Sequence, residues 1–228
     1  MELDVGRKSK PAESGARAAR RADAALREQC LALMALPDIS VSLSLYATGI
    51  LIGQANERAR SGASGDMLAY AMSQQLRLLA EEGELQPLFE ALPAVVPHRQ
   101  AALEAMSGLV SDLGLPAGAD FSRLDDAARQ LAEDPRLAAE FRAFITARFT
   151  ALWSCGGAGH AGRFLRLATS WFRARMLCAA RRAAYGELSI AEVKRLLTAL
   201  NDWEAQHPAS PAAAGRADET LLHALSLL

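Results

Sequence analysis

Two hydrophobic patterns compete in the stretch 37–53, which has the sequence PDISVSLSLYATGILIG. Its first half alternates apolar residues with serines, which is the period of a β-strand. A strand needs a hydrogen-bonding partner, and the rest of the chain offers only the short run 94–96. As a helix, the same residues form two apolar stripes on nearly opposite sides, which is typical of a buried helix. We therefore predict a helix over about 39–58, with Asp38 as its N-cap.

A membrane span is the alternative interpretation of this uncharged stretch. A spanning helix needs about 20 predominantly apolar residues. The stretch 39–56 is shorter than that and contains serines, a threonine and glycines. We therefore expect no membrane span.

Apolar residues recur at helical spacing through most of the remaining chain. Asp134 followed by Pro135 predicts a helix start, and Ser189 with Glu192 forms a capping box. The predicted helices cover about 16–36, 67–82, 99–113, 124–131, 135–153, 163–185 and 190–203. The sequence therefore predicts an all-α fold, a multi-helix bundle around a buried central helix at about 39–58, with no significant sheet.

Composition shifts divide the chain into four parts. Residues 1–14 are polar, and we expect a disordered tail there. Residues 15–206 carry the helical periodicities of a single bundle domain. Residues 207–216 contain prolines, alanines and a glycine, which is typical of a linker. For residues 217–228 we then expect a short amphipathic helix.

The overall composition is that of a globular protein, with 228 residues, 51% hydrophobic and 22% charged. A net charge of −1 with a pI near 6.4 argues against nucleic-acid binding. Cys30, Cys155 and Cys178 are an odd number without CxxC spacing, which favours a reducing compartment. No apolar signal sequence follows the amino terminus. These features predict a cytoplasmic protein.

A glycine-rich stretch before the helix 163–185 is the first candidate site. Gly157, Gly159 and Gly162 spell G-x-G-x-x-G, and Arg163 and Arg166 follow on the first turns of the helix. Amide groups at a helix start together with two guanidinium groups could hold an anion. The dinucleotide fingerprint must follow a strand, whereas this one follows a helix. Two interpretations therefore stay open for this stretch. It either binds an anion through Gly157, Gly159, Arg163 and Arg166, or it is a plain glycine-rich connection between two helices.

The sequence gives little support for a catalytic nucleophile or for a metal site. Cys155 and His160 flank the same loop, but no local signature supplies the further groups that a nucleophile requires. The four histidines are scattered and lack metal-ligand spacing. One side of the helix 163–185 could be a solvated face or a basic stripe, because it carries Arg163, Arg166, Arg173 and Arg181. We predict no catalytic residue, no metal and no cofactor.

Leucines in the last helix form the second candidate site. Leu221, Leu222, Leu225 and Leu228 lie at positions i, i+1, i+4 and i+7. This spacing is used by helices that dock into apolar grooves of partner proteins. A helix this short is marginal alone, so it binds either a partner protein or its own bundle. The sequence leaves both open.

These observations favour a non-enzymatic helical interaction module, such as an adaptor, regulator or chaperone-like protein, that acts by contact with a partner protein. One alternative is a small apolar-ligand-binding bundle, with a pocket near Tyr46, Met67, Met72, Phe144 and Trp171. Another is an enzyme that binds an anionic substrate at the loop 156–166. Homo-oligomerisation stays open, and no motif is specific enough to indicate a family.

Overall fold

The computed structural model describes residues 10–61, 96–115, 124–154 and 159–207. Within these ranges it contains seven α-helices and no strand, which confirms the predicted all-α fold. The helices are α1 (Lys10–Met34), α2 (Val41–Ser61), α3 (Val96–Asp112), α4 (Asp125–Ala132), α5 (Pro135–Ser154), α6 (His160–Tyr185) and α7 (Ile190–Gln206). The predicted helices at 67–82 and 217–228 lie outside the described residues.

Helix α1 begins earlier than the sequence predicts. It starts at Lys10, so residues 10–14 of the predicted disordered tail are helical. Pro11 is tolerated there because the first turn of a helix has no acceptor for its missing N–H group. The predicted inward residues Leu26, Cys30 and Leu33 are buried.

The starts of α5 and α7 are set by local caps, as predicted. The Asp134 carboxylate accepts a hydrogen bond from the backbone N–H of Arg136 at 2.9 Å. Before α7, the Ser189 hydroxyl accepts from the Glu192 N–H at 3.3 Å, and the Glu192 carboxylate accepts from the Ser189 N–H at 3.0 Å. The hydrogen bonds that the Glu192 carboxylate accepts from the Ser189 N–H and, at 2.9 Å, from the Ser189 hydroxyl lower the pKa of Glu192. Both predicted helix starts are confirmed.

The cap of α2 differs from the prediction. Ser40, two residues after Asp38, accepts a hydrogen bond at its hydroxyl oxygen from the Leu43 N–H at 3.3 Å. The carbonyl of Ser40 also accepts the first intrahelical bond, from Ser44. Ser40 is therefore the N-cap, and the prediction of Asp38 was wrong because a second capping residue lay closer to the helix.

The most buried helix of the described bundle is α6. Most of its residues between 161 and 180 are buried, and it packs against α2, α3, α4, α5 and α7. Helix α2 also buries apolar side chains on two sides, with Val41, Leu45 and Ile52 on one side and Leu43 on the other. The structure thus does not confirm α2 as the central helix of the bundle, because α6 has the larger share of packing partners.

Replacing Ser189 with alanine should lower the free energy of unfolding by about 1 kcal/mol, because the first amides of α7 lose their cap. Denaturant unfolding followed by circular dichroism measures this change. Thr198→Ala in the middle of α7 is the control, since its hydroxyl only bonds back to the Lys194 carbonyl. Equal losses in the two variants would contradict a specific role for the cap.

Candidate functional site

Three of the four residues predicted to bind an anion lie at the start of α6. Gly159 is the N-cap and provides no capping side chain. Arg163 and Arg166 are half-buried on the first two turns. Their Nε atoms are buried and have no hydrogen-bond partner among the described residues. Gly157 lies outside the described residues, so anion binding here stays a prediction.

The first residue of α6 joins a polar cluster that the sequence did not predict. His160 Nε2 lies 2.6 Å from Asp23 Oδ1, and Nδ1 lies 3.1 Å from Asn56 Oδ1. The Trp153 ring stacks on the imidazole at 4.9 Å, and its indole N–H donates to Asp23 at 3.2 Å. Both imidazole nitrogens are engaged by α1 and α2, which holds the start of α6 in place. Cys155, considered as a partner of His160, lies outside the described residues.

The arginine side of α6 is turned towards its neighbours. Arg173 Nη1 lies 2.9 Å from Glu204 Oε1 of α7, and Arg181 forms an ion pair with Glu192. Arg163 lies over the Trp153 ring, 5.4 Å from its centroid. At these positions the arginines connect helices, which does not fit a freely solvated face.

Glu204 is the centre of a buried network between α5, α6 and α7. Its side chain is 3% exposed and pairs with Arg173 and with Arg148, whose Nη2 lies 2.7 Å from Glu204 Oε2. The Ser170 hydroxyl donates to Glu204 at 2.7 Å and accepts from Arg148 Nε at 3.2 Å. A carboxylate enclosed by two guanidinium groups and a hydroxyl positions helices.

The described cysteines are part of the core. Cys30 and Cys178 are fully buried and form no disulfide. Burial raises the pKa of the Cys178 thiol to about 12, and it also raises the pKa of Cys30. Both are therefore protonated thiols at neutral pH, which are weak nucleophiles.

The described residues of the predicted apolar pocket differ in how deeply they are buried. Trp171 and Phe144 are buried in the core. Tyr46 is half-buried, and partial burial raises the pKa of its phenol. Met67 and Met72 lie outside the described residues. The structure thus leaves this pocket a prediction.

An open groove of about 1080 Å³ runs along α5, beside the connection between α1 and α2. Ala35 and Pro37 line it from the side of that connection. Its floor is the outer face of α5, from Pro135 to Ser154. Among the described residues that line it, Arg142 alone carries a charge.

The outer face of α5 consists of small uncharged residues at a spacing of four. We call this line the alanine row. Its members are all exposed to solvent: Pro135, Ala139, Ala143, Ala147 and Ala151. A helix face turned to water normally carries charged or polar side chains. The alanine row departs from that rule over four turns.

Two of the polar side chains beside the alanine row, those of Thr150 and Ser154, form hydrogen bonds to their own helix. The Thr150 hydroxyl donates to the Thr146 carbonyl at 2.9 Å, and the Ser154 hydroxyl donates to the Thr150 carbonyl at 2.9 Å. Their hydrogens are therefore directed at the backbone of their own helix. The groove floor is less polar than its composition suggests.

Arg142 lies where the groove meets the connection between α1 and α2. Its Nη1 and Nη2 donate to the carbonyls of Met34 and Ile39, each at 2.6 Å. These carbonyls belong to the end of α1 and to the connection that leads into α2. Burial lowers the pKa of this guanidinium from its ordinary value. The one charged side chain among the described groove residues is thus hydrogen-bonded to the wall of the groove.

A sequence signal for this groove existed on the outward face of α5, whereas the predictions from sequence concern the inward face of that helix. The spacing of four from Pro135 to Ala151 is visible in the string PRLAAEFRAFITARFTALWS. The partners of His160 had no such signal, because they lie 137 and 104 positions away along the chain. The leucines predicted to bind a partner, Leu221, Leu222, Leu225 and Leu228, lie outside the described residues.

No family model, curated protein or solved structure matches this chain. None of the helices in the described ranges is both long enough and apolar enough to cross a membrane. In those same ranges, no cluster of three or more His, Cys, Asp or Glu side chains is suited to a metal ion. The function of the groove on α5 therefore has to be inferred from the geometry of the groove itself.

Proposed function

We propose that this protein is an interaction module that acts by contact with a partner protein, and that the groove on α5 receives an amphipathic helix. The single observation that carries the proposal is the alanine row, an exposed helix face without charge from Ala139 to Ala151. A face of this kind is favourable when another apolar surface covers it.

Small side chains suit helix docking for a geometric reason. Alanine projects little beyond the backbone, so a second helix can approach closely along the row. Residues spaced by four form one ridge of an α-helix, and such ridges pack into the grooves of a neighbouring helix. Large apolar side chains of the incoming helix would then fill the space beside Ala143 and Ala147.

The matching occupant is a helix with large apolar residues at positions i, i+3 or i+4, and i+7. Burying three leucine side chains would contribute roughly 5–9 kcal/mol before the entropic cost of association is subtracted. This supports a reversible complex. No charged group of the occupant is required, because Arg142 is already bonded to the Met34 and Ile39 carbonyls.

Photo-crosslinking tests the proposal on the full chain. A benzophenone amino acid at position 147 should capture a defined protein, and the crosslinked peptide should have the apolar helical spacing given above. The same probe at Ala183, which is exposed on α6 outside the groove, is the control. Recovery of the same proteins from both positions would contradict a specific groove.

A substitution in the groove then tests the captured partner in purified form. Ala147→Glu introduces an unpaired charge in the contact and should weaken binding about tenfold or more, since burying such a charge costs several kcal/mol. Ala183→Glu should bind as the wild type does. Calorimetric titration measures both. Unchanged affinity of Ala147→Glu would overturn the proposed docking surface.

A further inference from the structure

We infer that the chain's own segment 217–228 occupies the α5 groove in the free protein, so that a partner helix must displace it. This inference rests on the proposed function, because it assigns an occupant to the same groove. The segment presents Leu221, Leu222, Leu225 and Leu228, which have the spacing and the size that the alanine row accepts.

The described chain ends close to the groove. Lys194 of α7 lies 3.2 Å from Glu140 of α5, and further along both helices Glu204 lies 2.7 Å from Arg148. The two helices therefore run in the same direction. The end of α7 is level with the last turns of α5, where the groove also ends.

The exit point of the chain is held by a stacked pair. His207 stacks on the Trp203 ring with centroids 4.4 Å apart, and its Nδ1 lies 2.9 Å from the Trp203 carbonyl. The Trp203 indole N–H donates to Asp112 of α3 at 2.7 Å. The residues after 207 thus start from a fixed place on the bundle.

The chain between this exit and the segment is long enough to reach the groove. The nine residues 208–216 span up to about 30 Å when extended. The path from one side of α5 to the other is about 16 Å, half the circumference of a helix roughly 10 Å wide. The linker therefore reaches the groove without a change in the described bundle.

The segment and the row also agree in length. The row from Ala139 to Ala151 rises about 18 Å, and twelve residues of helix, 217–228, rise about the same. Entering at the end near Ala151, the segment would run antiparallel to α5 and end near Ala139. In this arrangement Leu221 and Leu225 lie opposite Ala147 and Ala143, and large side chains packed against small ones fill space efficiently.

Hydrogen exchange of the full chain, measured by mass spectrometry, tests this inference without any partner. Amides of 221–228 should exchange about tenfold or more slowly than those of an unprotected peptide. Ala147→Glu should remove this protection, and Ala183→Glu should keep it. Leu225→Asp, on the opposite side of the proposed contact, should also remove the protection while the amides of α6 stay protected.

Each result decides the inference separately from the proposed function. Protection that is independent of protein concentration and lost in Ala147→Glu and Leu225→Asp supports docking within one chain. Protection that grows with concentration indicates a second copy and overturns it. The inference is also overturned if Ala147→Glu leaves the protection unchanged, or if the segment is unprotected in the wild type. If the segment is protected as expected but no partner binds, the proposed function fails, and the docking of the segment in the groove stands without a partner to displace it.

Discussion

Replacing Glu204 with leucine should lower the free energy of unfolding by about 3 kcal/mol, because two mostly buried guanidinium groups lose their counter-charge. Arg148 and Arg173 approach Glu204 at 2.7 and 2.9 Å, and their side chains are 20% and 16% exposed. Ser170 also loses the acceptor of its hydroxyl proton. Denaturant unfolding monitored by circular dichroism gives the value.

The same two helices provide a control for this prediction. Lys194 of α7 pairs with Glu140 of α5, but the lysine side chain is 61% exposed. Lys194→Met should therefore change the unfolding free energy by less than about 1 kcal/mol. Glu204→Gln keeps the shape of the side chain and one acceptor. Its loss of unfolding free energy should therefore lie between those of Glu204→Leu and Lys194→Met. If Glu204→Leu were no more costly than Lys194→Met, the network would have no structural role.

Contacts between near neighbours in the chain could be predicted from the sequence. Asp134 bonds to Arg136 two positions on, and Ser189 bonds to Glu192 three positions on. Such caps depend on a few residues whose conformations are set by the helix start itself. Even here a competing residue can mislead, as Ser40 did when it took the place of Asp38.

Contacts between distant parts of the chain could not be predicted. Asp23 and His160 meet only because α1 and α6 are packed in one bundle, and no spacing along the chain encodes that meeting. Glu204 and Arg148 each look like ordinary surface residues in an amphipathic pattern. Their burial follows from the arrangement of three helices, which one sequence does not specify.

The sequence also did not predict correctly which of α2 and α6 is the more buried helix. The stretch 39–56 carries no charge, so it looked more central than the helix 163–185 with its arginines. In the structure several of these arginines lie at helix contacts, where the guanidinium of Arg173, for example, lies 5.2 Å from the centroid of the Trp203 ring of α7. Long cationic side chains combine an apolar stem with a polar tip. A prediction of burial from charge content alone therefore makes such a helix look more exposed than it is.

Trp171→Ala should lower the unfolding free energy by about 4 kcal/mol, the largest effect expected for one core side chain. Trp171 is completely buried and meets Phe141 of α5 edge to face, with centroids 5.3 Å apart and planes at 84°. Its indole N–H donates to the Ser42 hydroxyl of α2 at 3.2 Å. The substitution leaves a cavity where α6 meets both helices, and denaturant unfolding followed at 222 nm measures the loss.

Two milder variants separate packing from hydrogen bonding at this position. Trp171→Phe keeps most of the ring contact with Phe141 but loses the donor, and Ser42→Ala removes the acceptor alone. Each should lower the unfolding free energy by about 1–2 kcal/mol, since a buried polar group is left without its partner. If Trp171→Ala were no worse than Ser42→Ala, cavity formation would not explain the loss. The junction of α2, α5 and α6 would then be loosely packed, against the burial seen around Trp171.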